Sequence, residues 1–210
     1  LPILIWNGHS QEHHSMVSTL SNRGMERLWR AHGFDEVILV DAADRASFER
    51  GWRYGEGRAR AVVLPRSTPE VAAVLRHCFE HGVRLQPVGA NTGLVGATNP
   101  DATGEQIVIA LQRMNAIVDV DAVDRVAEVQ AGVTLDALNA ALAEYGLWWP
   151  IDLGADPQVG GMIVTNTGGT RLLRYGDVRS NLLGLEVVLA DGTVIDRRRR
   201  LRKDNTGLDL

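Results

Sequence analysis

Two glycine-rich stretches of the 210-residue chain carry residue types that hold phosphate without charge. The first is Pro87-Val88-Gly89-Ala90-Asn91-Thr92-Gly93-Leu94-Val95-Gly96. The second runs Pro150-Ile151-Asp152-Leu153-Gly154-Ala155 and resumes as Gly160-Gly161-Met162-Ile163-Val164-Thr165-Asn166-Thr167-Gly168-Gly169. Small residues leave successive backbone N–H groups unshielded, and a concave run of such groups binds phosphate oxygens with no cationic side chain. The spacing of Gly89, Gly93 and Gly96 is not that of a Walker loop, because no Gly-Lys-Ser/Thr follows. Nor is it the dinucleotide fingerprint, because no amphipathic helix opens behind it. Alone, the first stretch reads equally as a plain glycine-rich turn. The second is the stronger signal, with Gly-Gly pairs bracketing a short apolar turn that ends in Thr165-Asn166. Together the two suit one extended ligand with a pyrophosphate centre and flat apolar ends.

Other reactive residue types carry blander readings. His9, His13 and His14 have no cysteine beside them and read as an ordinary polar terminus, so no metal site is expected. Cys78 lies on an apolar helical face with no acid or base nearby and reads as core. Arg197 to Arg200, with Arg202 and Lys203, reads as a solvated loop. Trp148-Trp149 reads as a strand that forms core and pocket wall.

The elements that must position the two stretches follow from periodicity. Ser15 to His32 has helical spacing closed by Gly33, Glu36 to Val40 reads as a short strand, and Asp44 to Arg60 reads as loop with at most a helical turn. Ala61 to Leu64 is a buried strand stopped by Pro65. Thr68 then caps a helix with Pro69 at its first position, and Val71, Val74, Leu75 and Cys78 make its apolar face. Gly82 ends that helix and Val83 to Val88 is the next strand, so this is a β-α-β unit with parallel strands. Ile107 to Leu111 is a further strand. Ala116 to Val120 and Arg125 to Gln130 flank a hairpin turn. Thr134 caps a helix running to Tyr145 with Gly146 as its stop, and Asp191-Gly192 turns a last hairpin. The class is α+β, with a small β-α-β subdomain and a mixed or antiparallel sheet subdomain with helices.

Composition bounds the rest. Hydrophobic residues make up 45% and charged residues 23%, with a formal net charge of −4. That balance belongs to a folded soluble chain and supplies no field for nucleic acid. The one cysteine points to a reducing compartment, and the short apolar run Leu1 to Trp6 neither spans a bilayer nor follows a basic leader, so a cytoplasmic protein without a membrane span is expected. Twelve of the 22 glycines fall between Gly89 and Gly176, which marks that segment as the functional one.

In order along the chain stand Leu64-Pro65-Arg66-Ser67-Thr68-Pro69-Glu70-Val71, Asn91-Thr92-Gly93-Leu94, Gln130-Ala131-Gly132-Val133-Thr134-Leu135 and Asp152-Leu153-Gly154-Ala155. Thr165-Asn166-Thr167-Gly168-Gly169, Arg174-Tyr175-Gly176 and Gly184-Leu185-Glu186-Val187-Val188-Leu189-Ala190-Asp191-Gly192 follow. This series resembles the flavin-binding domain of the FAD-linked oxidases related to vanillyl-alcohol oxidase, in the branch of D-lactate, glycolate and D-2-hydroxyglutarate dehydrogenases. The resemblance covers residues 60 to 210. It implies that Gly89, Ala90, Asn91, Thr92, Gly93 and Leu94, opened by Pro87, hold the FAD pyrophosphate through backbone N–H groups. It further implies that Gly154, Ala155, Gly160, Gly161, Thr165 and Asn166, in the stretch opened by Pro150, line the pyrophosphate and isoalloxazine. Neither His nor Cys occurs in these loops, so the implied FAD is bound non-covalently. Ala90 and Ala97 stand where many relatives have glycine, which requires a negative φ at both.

By the same resemblance, residues 61 to 210 are an FAD-binding domain that stops before the family's substrate-binding cap, and residues 1 to 60 are an N-terminal extension with a helix. The implied chemistry is hydride transfer from C2–H of a 2-hydroxy acid to flavin N5, with a base taking the hydroxyl proton. The implied partners are that small acid, if the cap is supplied, and an unidentified electron acceptor. The catalytic residues are not among those assigned. The alternative is a catalytically inert flavin-binding fragment.

Overall fold

The structure is a computed structural model and describes residues 38–202. The expected helix Ser15 to His32, its Gly33 stop, the His9, His13 and His14 group and the tail from Lys203 lie outside the described residues. In chain order the elements are β1 (Ile38–Leu39), α1 (Ala42–Glu49), β2 (Ala59–Val63), α2 (Thr68–Glu80), β3 (Leu85–Val88) and β4 (Gln106–Ala110). There follow β5 (Ile117–Asp121), β6 (Val126–Val129), α3 (Leu135–Ala143), α4 (Val159–Thr165), α5 (Leu172–Tyr175), β7 (Glu186–Val188) and β8 (Val194–Asp196).

The first unit is a four-stranded sheet of order β1-β2-β4-β3. β2 and β3 both run parallel to β4, so they are parallel to each other as the β-α-β pattern requires, but β4 is inserted between them. β4 reads as an unbroken apolar run because both of its faces are covered. Ile107 and Ile109 face the helix side with Val63, Val71, Val74, Leu75 and Cys78. Val108 and Ala110 face the other side with Val62, Leu64, Val88 and Phe48.

Phe48 belongs to α1, where the sequence pattern suggests a loop. Its polar neighbours hide the helix. Arg45 Nη1 donates to the carbonyls of Val40 and Arg60, and Glu49 Oε1 accepts from the Ala59 amide at 2.8 Å. Charged side chains that bond to the backbone of β2 leave no apolar stripe to read.

α2 begins one residue earlier than expected. Ser67 is the N-cap, its hydroxyl accepting from the Glu70 amide, and Pro69 sits inside the first turn, where a missing N–H costs nothing. The buried face Val71, Val74, Leu75 and Cys78 is as the spacing predicts.

The second unit packs α3, α4 and the inner side of the β5–β6 hairpin around Val133, Leu138, Leu142, Ile151, Val159, Met162 and Val178. Thr134 caps α3 through the Ala137 amide. Trp148 and Trp149 are not in a strand; Trp149 packs on this core while Trp148 is 48% exposed.

The β7–β8 hairpin joins the two units. Val188 enters the α2 core, and the Asp191-Gly192 turn rests on α2, where a Cβ on Gly192 would lie 2.5 Å from the Ala72 carbonyl. Beyond β8 the arginines do not form a merely solvated loop. Arg198 pairs with Asp196, Glu186 and Glu128, and Arg200 with Asp119, Asp121 and Glu128, so they tie β8 to the β5–β6 hairpin.

Three measurements check this packing. Burial pushes the Cys78 thiol up to about 12. An aromatic disulfide reagent at pH 8 is therefore expected to leave it unmodified in the native chain and to titrate one thiol in denaturant; fast native labelling would contradict the core placement. A Cβ on Gly132 would lie 2.0 Å from the Leu111 carbonyl, whereas one on Gly154 meets nothing within 4 Å. Gly132→Ala is thus expected to cost about 1–3 kcal/mol in urea unfolding and Gly154→Ala much less. Hydrogen bonds from the Arg198 side chain and backbone, with its positive charge, lower the Asp196 carboxyl to about 2. Because this folded value lies below the ordinary 3.8, the pair stabilises the fold above that pH and the contribution disappears as pH falls through about 2. Asp196→Asn should lower the urea midpoint at pH 7, and the gap should close as pH drops from 4 toward 2.

Candidate functional site

The first glycine stretch leaves β3 as an irregular loop with no helix behind it. Among the described residues, no amide from Ala90 to Thr98 donates a hydrogen bond within the chain. The loop is held from outside its own backbone. Asn91 takes a positive φ of 55°, its side-chain amide donates to the Arg50 carbonyl, and its Oδ1 accepts from the Thr98 hydroxyl at 2.8 Å. Asn99 donates to the Tyr54 carbonyl at 2.9 Å. The segment from Arg50 to Gly57 therefore props the loop, and its glycines make room: a Cβ on Gly57 would sit 1.8 Å from the Pro100 carbonyl and one on Gly51 would strike Tyr54 and Asn99. The spacing Gly51, Gly55, Gly57 in an otherwise polar stretch was the available signal for this support. Ala90 and Ala97 keep negative φ, as the sequence requires of them.

In the second stretch, Gly160 and Gly161 lie in helix α4 rather than in a turn. They diverge in role. The Gly160 amide is taken by the Ala131 carbonyl at 2.8 Å and a Cβ there would stand 2.8 Å from the Ala131 Cβ, so this glycine permits a close backbone approach. Gly161 is exposed with open space where its side chain would be, and its amide has no partner among the described residues. Thr165 bonds to the Gly161 carbonyl and the Thr167 hydroxyl. Asn166 ends α4 in the left-handed region, and its side chain donates to Asp177 and accepts from the Arg179 amide. The backbone of Ser180 and the side chain of Asn166 hold the Asp177 carboxyl below its usual range.

The two stretches meet at Gly89 and Gln158. A Cβ on Gly89 would lie 3.4 Å from Gln158 Oε1. Gln158 is the buried polar residue of this region at 6% exposure and immediately precedes α4; nothing in its sequence context marks it. Exposed Ala90 and Gly93 and half-buried Asn91 and Thr92 follow Gly89 in the loop, and the exposed Gly161 follows Gln158 by three residues. Leu94 is 55% exposed at the loop tip, and Pro87 is exposed on β3. Gly154 and Ala155 are exposed on the loop that leads into Gln158, whereas Pro150 is half-buried beside the α3 core.

The arrangement fits a large uncharged-side-chain cradle for a pyrophosphate. Open amides, missing Cβ atoms and a polar amide at the junction are supplied, while the arginines of the region are engaged elsewhere. The described residues contain no group of three or more His, Cys, Asp or Glu that could hold a metal, and no helix long and apolar enough to cross a membrane.

The D-2-hydroxyglutarate dehydrogenase of Bos taurus, named as mitochondrial, is 45% identical over 176 residues, which are 82% of this chain and 32% of that protein. The enzyme of the same name from Rattus norvegicus is 40% identical over an equal span. The chain spans about a third of the length of the curated relatives it matches. Among solved structures, an alkyldihydroxyacetonephosphate synthase superposes with a TM-score of 0.74 at 22% identity, over 82% of this chain and 34% of that one, which establishes the shared fold. The cytoplasmic location expected from composition is overturned, because these relatives are named as mitochondrial enzymes. A single unpaired cysteine reports reducing conditions and does not choose between reducing compartments. The family model for the FAD binding domain matches residues 59–197, and by that match the chain belongs to the FAD binding domain family.

Proposed function

We propose that this chain is the flavin-holding part of a dehydrogenase that oxidises a 2-hydroxy acid, with D-2-hydroxyglutarate, the acid in the relatives' names, as the first substrate to test. The observation that carries it is the row of unpartnered amides from Ala90 to Thr98, which starts where Gly89 meets Gln158. In this reading the amides of Ala90 to Leu94 take one face of the FAD pyrophosphate, and the Gly161 amide takes the other. Gly89 and Gly160 let the two segments close on each other. Gly154, Ala155, Thr165 and Asn166 border the flavin ring, and Asn166 fixes the chain that returns from Asp177.

Bound FAD supplies the two-electron acceptor for hydride leaving the C2 carbon of the acid. Binding is non-covalent: Cys78 is in the core, and neither stretch offers a His or Cys for attachment. The domain assignment that accompanies this reading is residues 61 to 210 as the flavin domain and residues 1 to 60 as an extension to it.

The test is the visible spectrum of the purified chain after incubation with FAD and desalting. Retained flavin that passes entirely into the supernatant on acid precipitation is the expected result; flavin that stays with the pellet contradicts the non-covalent reading. Gly161→Val and Gly93→Val place a side chain in open space, so the melting temperature should hold while flavin retention falls at least tenfold. Retention equal to the parent chain in both variants overturns the cradle. Bleaching of the retained flavin by D-2-hydroxyglutarate supports turnover, and its absence favours the inert module.

A further inference from the structure

Beside the flavin surface lies a recess of about 410 Å³ lined by Trp148, Thr170, Arg171, Leu173, Arg174 and Tyr175. Its wall is a continuous stack of cations and rings. Arg171 sits 4.9 Å over the Trp148 ring, Trp148 meets Tyr175 edge-on at 5.4 Å, and Arg174 sits 5.0 Å over Tyr175. A guanidinium held over an aromatic face is poorly hydrated on that side, which leaves its N–H groups available to a planar two-oxygen acceptor.

The two arginines are not equivalent. Arg171 is paired with Asp152 at 3.3 Å, and Thr170 bonds to the same carboxylate at 2.7 Å. Arg174 has no acidic partner among the described residues. One carboxylate therefore offsets two guanidinium groups, and the recess is cationic in a chain whose net charge is −4. The same Asp152 fastens the recess to the second glycine stretch. Its carbonyl accepts from the Thr170 amide at 2.9 Å, and Gly154 and Ala155 follow two and three residues later.

We propose that this recess binds a carboxylate of the small organic acid, with Arg174 as the anchoring residue and Arg171, braced by Asp152, as its companion. The inference rests on the reading of the adjoining surface as the flavin site of a 2-hydroxy-acid dehydrogenase. It makes Arg174 a substrate-binding residue supplied by the flavin domain itself.

The experiment is a proton–nitrogen correlation titration of the full 210-residue chain, reading the Trp148 indole N–H, which Trp148→Phe identifies. The probes are D-2-hydroxyglutarate, D-lactate, uncharged D-lactamide and inorganic phosphate. The two hydroxy acids should shift the signal saturably and lactamide should not. Arg174→Met should weaken binding at least tenfold, Arg174→Lys less so, and Arg125→Met, which removes an exposed arginine of the β5–β6 turn, should change nothing. No shift with either acid, an equal response to lactamide, binding of phosphate as tight as that of the acids, or undiminished binding by Arg174→Met would each overturn the proposal. Flavin retention is measured on the same samples. Loss of retention with intact Trp148 shifts would defeat the flavin reading alone, and the converse would defeat this one alone.

Discussion

The rest of the structure depends on a three-residue crossing whose central residue, Gly132, has no room for a side chain. Ala131–Val133 passes between the turn that leaves the first sheet and the start of α4. Gly132 donates to the Met114 carbonyl at 2.8 Å while pressed against that of Leu111, and on its flanks Ala131 and Val133 accept from the amides of Gly160 and Val159. Backbone touches backbone on both sides. Each hydrogen bond is an ordinary one, worth about 1 kcal/mol net, but the crossing is the hinge about which the sheet unit and the helical unit are mutually placed. A side chain there would force the two apart by the width of a methyl group.

That placement makes one surface of two glycine stretches far apart in the chain. Gln158, held by the same crossing through its neighbour Val159, reaches the Gly89 end of the first loop. The cradle is therefore assembled by backbone geometry, with charge excluded from its lining. The arginines nearby serve other purposes: Arg171 and Arg174 stack on rings, and Arg198 and Arg200 bind the two hairpins together. An amide cradle without cations would leave the affinity for a phosphate to aligned dipoles, which cost no reorganisation on binding.

Much of this was legible locally. The apolar face of α2, the Thr134 cap, both hairpin turns and the parallel sense of β2 and β3 each follow from patterns contained within a few residues. What escaped has long-range causes. α1 buries a single side chain, Phe48, and hides Arg45 and Glu49 by bonding them to the backbone of β2. Glycine pairs argue against helix, yet Gly160 and Gly161 are helical because packing on Ala131 outweighs propensity. The arginine run looked solvated because most of its acidic partners, Asp119, Asp121, Glu128 and Glu186, come from other strands, and Ser67 and Thr68 offer equally good capping hydroxyls until one is seen to bond. The residues of the two glycine stretches were readable from composition, but the division of labour between Gly160 and Gly161 was not, since it depends on what stands opposite each.

The insertion of β4 between β2 and β3 also governs the order in which the chain can acquire structure. As the chain emerges during synthesis, β2, α2 and β3 all appear before β4, yet the two strands have no edge in common and α2 has only half a sheet to lie on. Nothing pairs with β3 until the residues through Ala110 arrive. When β4 docks, it completes the sheet and in the same step closes the ends of the segment between Val88 and Gln106, which includes the whole first glycine loop. The loop of open amides is thus closed by the event that forms the core, and this early sheet has a built-in delay set by one strand's place in the sequence.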